Sequence, residues 1–238
     1  MCGIIGIASN KPVSINIINS LKKLEYRGYD SAGLATLTNK NINEKKCIGR
    51  VEELEKILFK PPSNGNIGIG HVRWATHGVP NILNAHPHST DEVSVVHNGI
   101  IENSDEIKID LENEGLKFKS QTDTEVITLL ITESLKEHDP LNSVFKTLSK
   151  LKGSFALGIM FKNFSDIIIG ARRGSPLAVG YSKEENYLGS DSYALKSMTN
   201  KISYLDDGDV CVISKDEVNF YDVSKNKINK KTNILSED

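Results

Sequence analysis

The stretch Gly3–Ser9, GIIGIAS, is an almost unbroken apolar run that begins one residue after a cysteine. A run of this length and composition predicts a short buried strand. A buried strand this early ties the first residues of the chain into a core. Cys2 sits at its head. Removal of Met1 would make Cys2 the first residue, placing a thiol of ordinary pKa near ~8.5 beside an α-amine near ~7.7–8.0. A neutral amine can take the thiol proton, so one residue would supply both nucleophile and base. Cys2 also suits a plain structural role at the start of a buried strand. Its neighbours have to decide between the two.

Taken in order, Ile17, Ile18, Leu21 and Leu24 recur at helical spacing over about 13–24. Residues 25–33, EYRGYDSAG, read as an ordered loop, followed by a strand at 33–38 and a polar turn at 39–43. A short strand near Cys47 precedes a helix around 51–59, which Pro61-Pro62 ends. A strand at 66–72 delivers Arg73-Trp74-Ala75-Thr76-His77-Gly78, and one at 93–96 delivers His97-Asn98-Gly99. A helix follows at about 104–114. Thr122-Asp123-Thr124-Glu125 has capping-box spacing and opens a long amphipathic helix to about 136, with another at about 141–151. From Gly153 the chain turns to strands, interrupted by a short helix near 192–198, with Asp206-Asp207-Gly208-Asp209 as a turn. Strands in runs, with helices clustered between them, predict packed layers rather than alternating βαβ units. Residues 225–238 are Lys- and Asn-rich without periodicity, and are expected to be a tail or the start of a linker.

The length, 238 residues, suits one domain with a sizeable core. The formal net charge of -2 gives no global electrostatic case for nucleic acid or for an anionic membrane. No apolar run is long enough to span a bilayer, and the N-terminus lacks the pattern of a signal peptide. Cys2, Cys47 and Cys211 are odd in number and widely spaced, which is neither a disulfide framework nor a CxxC metal pattern. A reducing cytoplasmic compartment fits. Of the 29 basic residues only five are Arg: Arg27, Arg50, Arg73, Arg172 and Arg173. In a chain so biased towards Lys, an Arg marks a place for a planar, bidentate donor where its neighbours are also polar and ordered.

Thiol attack on an amide needs hydrogen-bond donors where the oxyanion develops. Asn98-Gly99 offers a side-chain amide N–H and a backbone N–H made accessible by glycine. The same dipeptide is a common hairpin turn, although a helix follows it here. A zwitterionic amino-acid substrate would need a cation for its carboxylate, which suits Arg73, and an anion for its ammonium, which suits Asp123. Asp123 equally suits a helix cap. Trp74, the lone tryptophan, fits a core position as well as a site wall. Five of the six histidines fall between His71 and His97, yet no recognised ligand pattern is present, so no metal is expected.

These stretches together resemble the N-terminal glutaminase domain of the glucosamine-6-phosphate synthase family, a class II glutamine amidotransferase. MCGIIG, EYRGYDSAG at 25–33, HVRWATHG at 71–78, AHPH at 85–88, HNGIIEN at 97–103 and TDTEV at 122–126 stand in that family's order. The related phosphoribosyl-pyrophosphate branch typically reads RYST where this chain reads RWAT. The resemblance implies an α+β fold, the four-layer αββα sandwich of N-terminal-nucleophile hydrolases, spanning 1–224. It implies that Cys2 attacks the side-chain amide of L-glutamine, forming a glutamyl thioester and releasing ammonia. Asn98 and Gly99 would stabilise the oxyanion. Arg73, Thr76, His77 and Asp123 would hold the amino-acid end, and Trp74 would gate the ammonia path. No cofactor is implied. Fructose 6-phosphate would be used by a sugar-isomerising half that this chain lacks, within a homo-oligomeric full-length protein. The competing reading is a terminal-Cys amidase that acts on another amide without transfer. Arg73 with Asp123 argues against it, because most other amides do not need both charges.

Overall fold

A computed structural model describes residues 2–58, 64–75 and 78–236. Pro61-Pro62, Thr76 and His77 lie outside the described residues. In chain order the strands are β1 (Gly3–Ser9), β2 (Ser31–Thr38), β3 (Asn41–Ile48), β4 (Ile67–Arg73), β5 (His88–Ser89), β6 (Val93–Ile101), β7 (Gly153–Phe161), β8 (Phe164–Arg173), β9 (Ala178–Tyr181), β10 (Glu185–Gly189), β11 (Lys201–Tyr204), β12 (Val210–Ile213), β13 (Val218–Tyr221), β14 (Lys227–Ile228) and β15 (Asn233–Ile234). The helices are α1 (Ser14–Leu24), α2 (Val51–Leu58), α3 (Ser104–Asn113), α4 (Thr124–Ser134), α5 (Pro140–Leu148) and α6 (Ser192–Leu195).

The strands form two antiparallel sheets. One runs β15-β11-β9-β10-β1-β4-β2-β3 and the other β14-β13-β12-β8-β7-β6-β5. Period-two alternation along β1 shows how the layers are built. Ile5 and Ile7 pack with Ile17, Ile18, Leu21 and Leu24 of α1. Ile4 and Ala8 point the other way, into a core shared with Val96, Ala156, Met160 and Ile168 of the second sheet. Helices α3, α4 and α5 cover the outer face of that sheet through Ile107, Leu111, Val126, Leu130 and Val144. The result is the expected αββα sandwich, with β1 buried on both faces because a layer lies on each side.

The first hairpin departs from the sequence reading. The turn is confined to Asn39-Lys40, both at positive φ (50° and 60°), and β3 starts at Asn41. This two-residue turn matches the twist of the flanking strands, so pairing begins at once. The described part of 225–236 also does more than trail away. Short β14 pairs with β13 at the edge of one sheet, and β15 pairs with β11 at the edge of the other.

On β2, the close approach of the 85–88 segment requires a residue without a side chain. A Cβ on Gly33 would sit 2.0 Å from the His86 carbonyl oxygen, which is backbone and cannot swing aside. Gly33→Ala is therefore expected to destabilise the protein by about 2–3 kcal/mol, read as a lower urea midpoint, because the strand or the loop must shift. An unchanged midpoint would show that this contact is loose in solution.

Candidate functional site

Antiparallel pairing of β1 with β4 puts the start of one beside the end of the other, Gly3 opposite Val72. Cys2 and Arg73-Trp74 are thereby neighbours. The Cys2 Sγ accepts a hydrogen bond from the Trp74 N–H at 3.3 Å and lies 3.5 Å from the Trp74 carbonyl, to which its S–H can donate. Burial pushes the Cys2 thiol up, opposed by the Trp74 backbone and by the Arg73 charge. The resting group is therefore a thiol rather than a thiolate.

The second sheet delivers Asn98 and Gly99 to the same place. The Asn98 Nδ2 donates to the Cys2 carbonyl at 3.1 Å. Asn98-Gly99 is not a hairpin turn: β6 continues through it to Ile101, with Gly99 opposite Phe155 of β7. Gly99 has φ +122°, and a Cβ there would lie 2.3 Å from the Ser154 carbonyl oxygen. Glycine is required by that backbone conformation and by the tight β6–β7 approach.

Arg73 is only 3% exposed. Its Nη2 donates to the Gly78 carbonyl at 3.2 Å, and its Nη1 lies 3.8 Å from the Asp30 carboxylate. Asp30 also accepts from the Ser31 hydroxyl at 2.9 Å and from the Ala75 N–H. One carboxylate thus anchors both the Arg73 guanidinium and the backbone just past Trp74. The sequence reading gave Asp30 no role of its own. The available signal was an acid within the ordered EYRGYDSAG loop.

Asp123 stands at the start of α4, but the expected capping box does not form. Its side chain caps nothing in the helix and instead accepts from the Ile101 N–H at 2.8 Å. Glu125 turns to the preceding segment, accepting from the Lys119 and Ser120 N–H groups at 2.8 and 2.7 Å. Both carboxylates are taken by backbone donors outside the helix. His97 lies 4.0 Å from Asp123 and bonds the Thr124 hydroxyl at 2.9 Å.

Cys2, Arg73, Trp74, Gly99 and Asp123 line one narrow cleft, with His86, His97, Thr122 and Thr124 completing its wall. Trp74 is 54% exposed, so it is no core residue but part of the rim. A roomier groove among α3, α4 and α5 holds neither cysteine nor histidine. Among the described residues no group of His, Cys, Asp and Glu is arranged to hold a metal, and no helix is long and apolar enough to cross a membrane. The cleft pairs a nucleophile with amide donors, a cation and an anion. That set can bind a zwitterion and attack an amide it carries.

The profile of a family described as a glutamine amidotransferase domain matches residues 82–197. The chain is 49% identical to a glutamine–fructose-6-phosphate aminotransferase (isomerizing) of Mesorhizobium japonicum over 97% of its own length and 38% of that protein's. It is 47% identical to a like-named protein of Zymomonas mobilis, over 99% of this chain and 39% of that one. The chain thus spans well under half the length of these relatives. Among solved structures, it is similar to glutamine phosphoribosylpyrophosphate amidotransferase from Bacillus subtilis, in complex with ADP and GMP. That likeness has a TM-score of 0.82 and 25% identity, and covers 95% of this chain and 50% of that one.

Proposed function

Because this chain belongs to the glutamine amidotransferases, as a domain of the glutamine–fructose-6-phosphate aminotransferase (isomerizing) type, we propose that its cleft hydrolyses the side-chain amide of glutamine. The observation that carries this reading is the convergence of Cys2 Sγ, the Asn98 and Gly99 donors, Arg73 and Asp123 on one cleft. Arg73 takes the α-carboxylate by a bidentate fork and Asp123 takes the α-ammonium, which orients the side-chain amide towards Cys2. Attack by sulfur forms a tetrahedral oxyanion, held by a second N–H of Asn98 and the N–H of Gly99. Collapse expels ammonia and leaves the glutamyl thioester, which water then cleaves to glutamate. Trp74 lies on the rim and is hydrogen-bonded through its backbone to Cys2, which supports our assigning it to cover the path by which ammonia leaves. Cys2, Cys47 and Cys211 are all free, in keeping with a reducing, cytoplasmic setting in which the nucleophile stays reduced.

In the longer protein we assign the ammonia to conversion of fructose 6-phosphate into an amino sugar by a part outside this chain. Incubating the purified 238-residue chain with glutamine and fructose 6-phosphate is expected to give glutamate and ammonia in equal amounts and no glucosamine 6-phosphate. Amino sugar from this chain alone would overturn the division of labour. Hydrolysis of simple amides as fast as glutamine would favour the amidase without transfer.

Arg73→Lys keeps the charge and loses the planar fork, and Asp123→Asn keeps the shape and loses the charge. Each is expected to raise the Michaelis constant for glutamine by about 10–100-fold, the worth of one charge-assisted hydrogen bond. Steady-state kinetics beside thermal melts separates binding from stability, which matters because Asp123 also holds the Ile101 N–H. Unchanged constants in both variants would remove these residues from the substrate site.

A further inference from the structure

We propose that His71 is a positioning residue for the amidase step, orienting the side-chain amide of Asn98 so that its NH2 group faces Cys2. The proposal rests on the glutaminase reading above, in which Asn98 is an oxyanion donor.

His71 lies on β4, and its ring reaches across to β6 of the other sheet. Its Nε2 is 3.0 Å from the His97 carbonyl oxygen and 3.0 Å from Asn98 Oδ1. A carbonyl oxygen only accepts, so Nε2 must carry the proton. The Asn98 atom facing that N–H must then be the amide oxygen. At the opposite end, the Asn98 nitrogen faces the Cys2 carbonyl, again an acceptor only, at 3.1 Å. Both ends of the amide are thus assigned by partners with a single hydrogen-bonding sense, rather than by choice. Turning the amide over would set NH2 against N–H and oxygen against oxygen in a buried site, leaving two polar groups unsatisfied.

The surroundings hold the ring in this state. His86 stacks on His71 with centroids 4.1 Å apart and planes 11° apart. The His71 Nδ1 is buried and has no hydrogen-bond partner, so a second proton there would be a stranded donor. Burial pulls the His71 pKa down to about 3, which keeps the ring neutral throughout the working range. Without His71 only the Cys2 carbonyl would hold the amide, so it would turn over more readily, and an oxygen facing Cys2 would repel the developing oxyanion instead of stabilising it.

The test compares glutamine hydrolysis by the wild type, Asn98→Ala, His71→Leu, His71→Gln and the His71→Leu/Asn98→Ala double variant, all in the full 238-residue chain. His71→Leu is expected to lower kcat by about 10–100-fold, up to the loss of one oxyanion donor, with KM changed by less than about threefold. His71→Gln, whose amide nitrogen can reach the Nε2 position, should recover most of that loss. In the Asn98→Ala background His71→Leu should lower kcat by less than about twofold, since its effect runs through Asn98. Alkylation of Cys2 by iodoacetamide, which forms no oxyanion, should stay at the wild-type rate and certify the fold. If His71→Leu fails to fold, His71→Asn, polar but too short to reach, takes its place. Equal losses in both backgrounds, failure of Gln to rescue, or a rise in KM alone would overturn the proposal. An Asn98→Ala variant with wild-type kcat would instead overturn the oxyanion assignment on which it rests.

Discussion

Cys2→Ala is expected to abolish glutamine hydrolysis, with at least a roughly 10³-fold loss of kcat, while leaving the fold in place. The fold should survive because, among the described residues, the thiol's hydrogen bonds are to the Trp74 backbone, at 3.3 and 3.5 Å, and no side chain depends on it for a partner. A glutamine-like electrophile should label Cys2 alone. Cys211 is fully buried and its thiol is pushed up to about 12, and burial also raises Cys47. The Cys2 thiol is itself raised by burial, so it is protonated near neutral pH and needs a base at the moment of attack. The free α-amine exposed by removal of Met1 is positioned by covalent geometry to be that base. Protein that keeps Met1 carries an amide nitrogen there and should be as inactive as the alanine variant. Intact-mass measurement beside the ammonia assay decides both points. Full activity in a sample retaining Met1 would move the base elsewhere, and full activity in Cys2→Ala would move the nucleophile.

The parts of this site that were legible in the sequence are those carried by local pattern. Buried strand β1, the α1 face of Ile17, Ile18, Leu21 and Leu24, the strand end at Arg73 and the start of β6 at Val93 follow from apolar runs and helical spacing. What local pattern cannot express is which backbone donor a polar side chain will meet. Asp123 and Glu125 have capping-box spacing, yet the N–H of Ile101 and those of Lys119 and Ser120 claim them. Asn98-Gly99 has the chemistry of a turn, and only pairing with Phe155 and Ala156, more than fifty residues away, makes it strand. The tail escaped for a different reason. Two-residue edge strands such as β14 and β15 are held by main-chain pairing, which leaves no periodicity to read. His71 was visible only as one of several histidines, because its role depends on contact between strands of different sheets.

Acid should unfold this domain at a pH set by its buried histidines. His71, His86 and His88 are buried, and burial holds the pKa of His71 at about 3 and those of His86 and His88 well below the ordinary value. Their contacts are those of neutral rings: His86 accepts from the His97 N–H at 3.4 Å, and His88 shares a hydrogen bond with the Thr122 hydroxyl at 2.9 Å. In the unfolded chain each imidazole takes up a proton near pH ~6.5. Below that pH the unfolded state binds more protons than the folded state, so stability falls as pH falls. The slope is at most about 1.4 kcal/mol per pH unit for each ring and about 4 for all three. Between pH 7 and pH 5 the loss is therefore a substantial share of the whole stability of an ordinary domain. Paired carboxylates lose their contribution mainly at lower pH, near their own unfolded pKa of about 4, so this window isolates the histidines. Urea midpoints measured at pH 7, 6 and 5 should therefore drop steeply, and the slope should report about three protons taken up on unfolding. His88→Gln, which keeps a partner for Thr122 and removes one titrating ring, should reduce that slope by about a third. A midpoint that stays level from pH 7 to pH 5 would mean these rings gain protons in the folded state, and the neutral buried cluster behind Asn98 would have to be abandoned.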